Sequence, residues 1–240
     1  MEAATLIADW KRRLVEMAQN APYAFSRTPQ DLIDEYQSRQ TNFLGYTEAE
    51  ILNAEALLRG RFPTVFREYL LQMGRQPGNL FTGSELAKLS ELEAFRGGAE
   101  ELIRQTDTSM TLPRNAAVFL FHQGYCFTYV LADGSFDSAP MQWIEQDREP
   151  TPVSATFADM VNAELQLMEE NHSSLHQRGG YWLTVHPGGG TSEEHPARAS
   201  GLRPLNIFSR AKIARQYQRQ RSALWDKAKL GWLTFFKPPR

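Results

Sequence analysis

The sequence is short of the features that mark several common classes of protein. Its single cysteine, Cys126, excludes an intramolecular disulfide and a cysteine-only zinc site. A small secreted disulfide scaffold is therefore excluded, and a reducing, intracellular setting is expected. With 240 residues, of which 42% are hydrophobic and 11% aromatic, most of the chain is still expected to fold, as one sizeable domain with an extension or as two small domains.

The sequence also lacks an apolar run long enough to cross a bilayer. Its longest stretch without a charged residue, 115–132, is interrupted by Asn115 and by the polar residues 122–124, whereas a spanning helix needs about 20 mainly apolar residues. The first 20 residues mix acidic and basic groups and do not resemble a signal peptide. We therefore expect a cytoplasmic protein without membrane insertion.

Motifs that would carry catalysis or hold a cofactor are missing as well. There is no Gly-x-Ser-x-Gly elbow, and the glycines at 188–190 lack the lysine of a phosphate loop. His172 and His176 lie four residues apart but have no fixed third ligand, so surface histidines are expected rather than a metal site. Cys126 lies in an extended pattern and is expected to act as small apolar filling. We expect no enzyme, cofactor or metal, and a hydrolase is the least favoured reading.

What the sequence does have is a marked separation of charge. The formal net charge is only -2, but residues 1–195 hold 15 Lys+Arg and 27 Asp+Glu, while residues 196–240 hold 11 Lys+Arg and one acidic residue, Asp226. An acidic body suits a cationic partner, and a basic tail suits an acidic surface or nucleic acid.

The first half of the chain has helical periodicity. Leu6, Ile7, Trp10, Leu14 and Met17 predict an amphipathic helix that packs on something else. Two further helices are predicted by their apolar faces, which are Ile51, Ala54, Leu57 and Leu58 for the first, and Phe66, Tyr69, Leu70 and Met73 for the second.

The ends of these helices carry recognisable signals. Thr47 with Glu50 forms a capping box, and Ser90 with Glu93 predicts a second one that starts a further helix. Pro63 is expected at a first helical position. Gly74 is expected to end its helix in the left-handed conformation.

From Ala116 onwards the pattern becomes extended. Runs at 116–121 and 125–131, a hairpin signal at Asp133-Gly134 and a third strand over 141–145 predict an antiparallel meander. Thr156 can cap a following helix that buries Phe157, Met160, Val161, Leu165 and Met168. Helices, then an antiparallel sheet, then a helix make an α+β pattern.

After this helix the pattern weakens. Residues 179–186 alternate as one further strand would, 187–202 have the composition of a linker, and 209–230 have that of a helix.

The candidate interaction site is an acidic cluster around the third strand. Carboxylates that surround exposed apolar groups would give an interface core with a charged rim, and would speed encounter with a basic partner. The same pattern equally fits a hairpin with solvated charges and a buried tryptophan. The candidate residues are Asp133, Asp137, Met141, Trp143, Glu145, Asp147 and Glu149.

The basic tail is the second candidate. Its cations could contact phosphates while its aromatic residues stack on bases or pack in a protein groove. A polar terminal helix that folds back on the acidic body, or one without fixed structure, is slightly favoured over this reading. The candidate nucleic-acid contacts are Arg215, Arg219, Arg221 and Trp225.

The helix-helix-sheet segment resembles the SUKH superfamily, which includes fungal cell-wall assembly regulators and many bacterial immunity proteins. The resemblance covers about 42–170. Each piece is a general cap, turn or core signal, and the order of the pieces makes the match. The matching pieces are Gly45-Tyr46-Thr47, Glu50-Ile51, Glu55, Phe62-Pro63, Phe66-Arg67, Tyr69-Leu70, Gly74, Leu112-Pro113, Val118-Phe119, Asp133-Gly134, Asp137, Pro140-Met141, Trp143 and Thr156-Phe157.

This resemblance implies a SUKH-like α+β domain, which we expect over 42–186 after a helical segment over 1–41 that packs on it. We expect a linker and basic helical extension over 187–240, and the basic tail departs from the family pattern. The resemblance implies a non-enzymatic protein and offers no catalytic residues. The function expected is that of an immunity protein, which binds and neutralises a cognate bacterial toxin, often a nuclease, by non-covalent occlusion. The alternative is a regulatory scaffold or nucleic-acid-associated module that acts through the tail.

Overall fold

The computed structural model describes residues 2–106, 109–145, 147–187 and 190–194. The α-helices in these ranges are α1 (Ala3–Gln19), α2 (Gln30–Thr41), α3 (Glu48–Leu58), α4 (Thr64–Met73), α5 (Leu92–Arg104) and α6 (Phe157–Gln177). The strands there are β1 (Tyr23–Phe25), β2 (Glu85–Leu86), β3 (Ala116–His122), β4 (Cys126–Leu131), β5 (Met141–Ile144), β6 (Thr151–Pro152), β7 (Tyr181–Val185) and β8 (Thr191–Glu194). A 3-10 turn over Leu89–Glu91 precedes α5.

The larger sheet has the strand order β2-β3-β4-β5-β6, and every neighbouring pair in it is antiparallel. Both of its faces are covered, because alternate residues of β3 and β4 belong to two separate apolar clusters. Ala117, Phe119 and Val130 face the main core with the helices. Val118, Phe127 and Trp143 face a second cluster with α5. The α+β fold with a meander is therefore confirmed.

The three N-terminal helix predictions hold in their main features. Thr47 and Glu50 form the expected capping box at the start of α3. Trp10 is fully buried in α1, its indole Nε1 donates to Asn162 Oδ1 of α6 at 2.9 Å, and its ring lies 6.1 Å from that of Phe157. Helix α1 thus packs against α6.

A buried carboxylate fixes the turn between α3 and α4. Glu55 is 6% exposed. Its Oε1 accepts a hydrogen bond from the Phe62 amide at 3.0 Å and pairs with Arg67 Nε at 3.3 Å. Because Glu55 occupies the inner face, Leu57 turns outward and is 58% exposed, so the prediction that Leu57 is buried is wrong.

Three of the local predictions about helix ends are also wrong. Gly74 has φ -65°, so it is not in the left-handed conformation. Glycine suits this position because the backbone approaches α4 closely, and a Cβ there would meet Leu70 Cα at 2.7 Å. Ser90 lies in the 3-10 turn, and α5 begins at Leu92 without a side-chain cap. Pro63 precedes the first helical residue of α4 rather than occupying it.

A second, smaller sheet forms from segments that are far apart in the sequence. Its order is β1-β7-β8, with β1 parallel to β7 and β7 antiparallel to β8. Strand β1 was not predicted, and α2 lies within the helical segment expected over 1–41, although its bounds were not predicted. The linker expected over 187–202 contains strand β8, so that part of the prediction is wrong. Residues 195–202 and the predicted helix over 209–230 lie outside the described residues.

Candidate interaction surface

The loop between β4 and β5, residues 132–140, is held in place at several points along its length. The Gly134 amide donates to the Arg61 carbonyl at 2.8 Å. The Ser135 and Phe136 carbonyls accept from the first amides of α4, at 2.9 and 3.0 Å. Asp133-Gly134 is therefore not a two-residue hairpin, as its signal predicted, but the start of a longer loop that caps a helix.

Asp137 fixes the far side of this loop. Its carboxylate accepts from the Phe157 amide at 3.0 Å and from the Ala158 amide at 3.3 Å, at the start of α6. Burial raises the pKa of the Asp137 carboxyl, and the hydrogen bonds from these two amides oppose the rise. The Thr156 hydroxyl accepts from the Asp159 amide at 3.0 Å, which confirms the predicted cap.

Two apolar side chains stand out from this fixed backbone. Phe136 is 56% exposed and Val153 is 42% exposed. Their loops are joined, because the Val153 amide donates to the Pro140 carbonyl at 2.8 Å. Asp133, on the first of these loops, and Asp159, in the first turn of α6, are both exposed. The result is a pre-organised apolar projection with carboxylates beside it.

A comparison with protein families identifies the domain that carries this loop. Residues 45–163 match the model of the SMI1 / KNR4 family (SUKH-1). Residues 45–163 therefore form a domain of the SUKH superfamily. SUKH proteins are generally non-enzymatic immunity or regulatory proteins. A search of curated proteins gave no match.

The SUKH domain does not bring all of the predicted site residues together. Asp133 and Asp137 lie at one end of β5, whereas Glu145, whose amide donates to the Tyr125 carbonyl at 2.9 Å, and Asp147 follow its other end. Four residues at about 3.3 Å each place the two groups roughly 13 Å apart. Glu149 is exposed on the segment that leads back to β6.

The apolar centre expected for this surface is also different. Trp143 is fully buried, with its ring stacked on Phe127 at 5.4 Å, so the reading of Trp143 as an exposed contact is wrong. Met141 is half-buried. Phe136 was missed because a single exposed phenylalanine has no periodic signal. Its one indication in the sequence was its position between Asp133 and Asp137.

The other candidate groups can also be placed. Cys126 is buried in β4, and burial together with the nearby Asp147 carboxylate raises the pKa of its thiol to about 11. The rings of His172 and His176 are 5.0 Å apart on α6, and His176 Nε2 lies 2.6 Å from the Asn20 carbonyl. Across the described ranges no group of three or more potential metal ligands occurs.

Two predictions concern the rest of the chain. In the part that the structure describes, no helix has both the length and the apolar character needed to span a bilayer. Arg215, Arg219, Arg221 and Trp225, the candidate nucleic-acid contacts, lie outside the described residues.

Proposed function

We propose that this chain is an immunity protein that binds a cognate toxin, with a basic domain of nuclease type, and occludes it without covalent chemistry. Membership of the SUKH superfamily supports a toxin-immunity or related role. One observation supports a particular binding surface for this function. The 132–140 loop is held by hydrogen bonds along its length, and it presents Phe136 outward beside Asp133.

A loop that is already ordered lowers the free-energy cost of binding. Binding loses free energy wherever a loop or side chain must be fixed, and a loop that is already hydrogen-bonded on both sides avoids much of that loss. Exposed aromatic anchors within a polar rim are typical of residues that dominate binding energy. We assign Phe136 and Val153 as the apolar centre.

The carboxylates of the predicted site form the rim in this proposal. Asp133 lies beside the apolar centre, and Asp137 holds the loop while it remains half-exposed. Glu145, Asp147 and Glu149 add negative charge beyond the far end of β5, whereas the half-buried Met141 lies at the end near the 132–140 loop. This arrangement favours rapid encounter with a basic toxin domain.

Growth rescue tests the proposal. The full chain is co-expressed in bacterial cells with toxin domains encoded by neighbouring genes, and rescue from one of them is the expected result. Phe136→Ala should reduce rescue, whereas Leu57→Ala, which removes a side chain of similar exposure (58% against 56%) on α3, should not. No rescue by the unaltered chain, and no complex with any such domain, would remove the proposal.

A second candidate function is favoured by one observation, the 11 Lys+Arg of residues 196–240. In that reading the chain is a regulatory scaffold or nucleic-acid-associated module that acts through Arg215, Arg219, Arg221 and Trp225. This function predicts binding to DNA or RNA, with an affinity that falls steeply as salt is added, because phosphate contacts release counterions. Binding that is absent, or that salt leaves unchanged, argues against it.

A further inference from the structure

The small sheet lies outside the residues that match the family model and has two unlike faces. On its inner face Tyr23 contacts Phe25, Tyr36 and Tyr181, with ring centroids 5.3 to 6.1 Å apart. Leu183 and Val185 are buried on the same face. This aromatic cluster accounts for the attachment of the sheet to α2.

The outer face carries a tryptophan that takes no part in that cluster. Trp182 lies on the central strand and is 49% exposed. In register with it are Ala24 on β1 and Glu194 on β8. Residues directly opposite across neighbouring strands have Cβ atoms about 5 Å apart on one face. The indole therefore lies between a small residue and an exposed carboxylate.

A cleft opens beside this indole. An open cavity of about 580 Å³ is lined by Trp182, Ala24, His176 and Gly179, among others. Its corner is fixed by Gly180, which has φ +70° and whose Cβ, if present, would meet the Pro22 carbonyl oxygen at 2.4 Å. The cleft borders the indole on its β1 side and Glu194 lies on its β8 side, so a long planar side chain stacked on the ring would lie between them.

We propose that this outer face binds an arginine side chain on an extended segment of a partner protein. The indole face attracts a cation through its quadrupole, and the Glu194 carboxylate supplies the opposite charge next to it. A guanidinium satisfies both at once, because its plane stacks on the ring while its forked donors reach the carboxylate. An ammonium group can use only one of these geometries well.

The charge of β8 decides between cationic and anionic occupants. Glu193 and Glu194 are consecutive on the edge strand, so a phosphate or an acidic peptide would be repelled. This inference stands apart from the proposed function, since neither the site nor its test requires a toxin.

Indole resonances of the full-length protein provide the measurement. The chain has five tryptophans, and Trp182→Phe assigns the Trp182 indole signal. Blocked peptides of the sequence Gly-Arg-Gly-Arg-Gly, and the same peptide with lysine or citrulline in place of arginine, are titrated. We expect the arginine peptide to shift the Trp182 signal, the lysine peptide to bind more weakly, and the citrulline peptide to leave it unmoved.

Matched variants separate a site from a general charge effect. Calorimetric titration follows binding to the variants, because Trp182→Ala removes the reporting indole. Trp182→Ala should weaken binding of the arginine peptide about tenfold and Glu194→Gln about threefold. Glu85→Gln removes the same charge from an exposed position on β2 of the SUKH domain and should leave binding unchanged. A Trp182 signal that no peptide moves, or an equal loss in the Glu85 and Glu194 variants, would overturn the proposal.

Discussion

At the scale of single residues, carboxylates that pair with the same cation differ in burial and in their other hydrogen-bond partners. Glu55 and Glu48 both pair with Arg67, but their surroundings differ. The Glu55 side chain is 7% exposed and also accepts the Phe62 amide, whereas the Glu48 side chain is 58% exposed. The same cation thus meets one buried partner and one in solvent.

We predict that Glu55→Ala lowers the free energy of unfolding by about 2–3 kcal/mol, because it leaves a buried amide and a guanidinium without their acceptor. Glu48→Ala should cost under about 1 kcal/mol, as solvent-exposed pairs do. Urea unfolding followed by circular dichroism measures both. Equal losses would show that the turn between α3 and α4 does not depend on the buried carboxylate.

Cys126 gives a prediction about pH. Its thiol pKa is raised to about 11 by burial and by the Asp147 carboxylate, so at pH 8 only roughly one thiol in a thousand is ionised. Iodoacetamide should therefore leave the folded protein unmodified and label it quickly in guanidinium chloride. Since the folded pKa is the higher one, this group's contribution to stability is full below the unfolded pKa and is lost as pH rises towards 11. Rapid labelling of the folded chain at pH 8 would contradict this.

At the scale of elements, sequence predicted best what is local. The capping residues Thr47 and Thr156 were found because each acts on amides within three residues. The Ser90 cap failed because the 3-10 turn displaces the start of α5 to Leu92. Strand β1 was missed because three residues have no periodicity and their partner, β7, lies far along the chain.

The candidate site was harder to predict for a related reason. Trp143 and Phe136 are both aromatic residues near acidic ones. Trp143 is buried because it faces the second apolar cluster from β5, whereas the course of the 132–140 loop exposes Phe136. That loop is held by its own backbone carbonyls, which accept from the first amides of α4, and residue type carries almost no signal for such bonds. Its position therefore depends on tertiary structure.

Helix α1 is the element whose attachment can be tested most directly. Trp10 is fully buried between α1 and α6, so Trp10→Ala should lower the free energy of unfolding by about 3–5 kcal/mol through lost burial and the cavity left behind. Trp182→Ala, the same change at an exposed position, should cost less than about 1 kcal/mol. Comparable costs in urea unfolding would mean that α1 adds little to the core.

At the scale of the whole molecule, the dominant feature is the separation of charge. Residues 1–195 carry a net charge of -12 and residues 196–240 one of +10, so the small overall charge of -2 describes neither part. A binding surface on the SUKH domain therefore favours a positively charged partner, whereas binding through the tail favours a negatively charged one. Removal of the tail distinguishes these two functions.

We predict that a chain ending at residue 195 rescues growth as well as the full chain does, because the surface built on Phe136 and Asp133 lies within the matched residues 45–163. The truncated protein should bind anion-exchange resin more strongly, since it keeps the -12 charge. Circular dichroism and thermal unfolding first establish that it is folded. If a folded truncated chain fails to rescue while the full chain succeeds, the basic tail takes part in toxin recognition and the surface proposed here is incomplete.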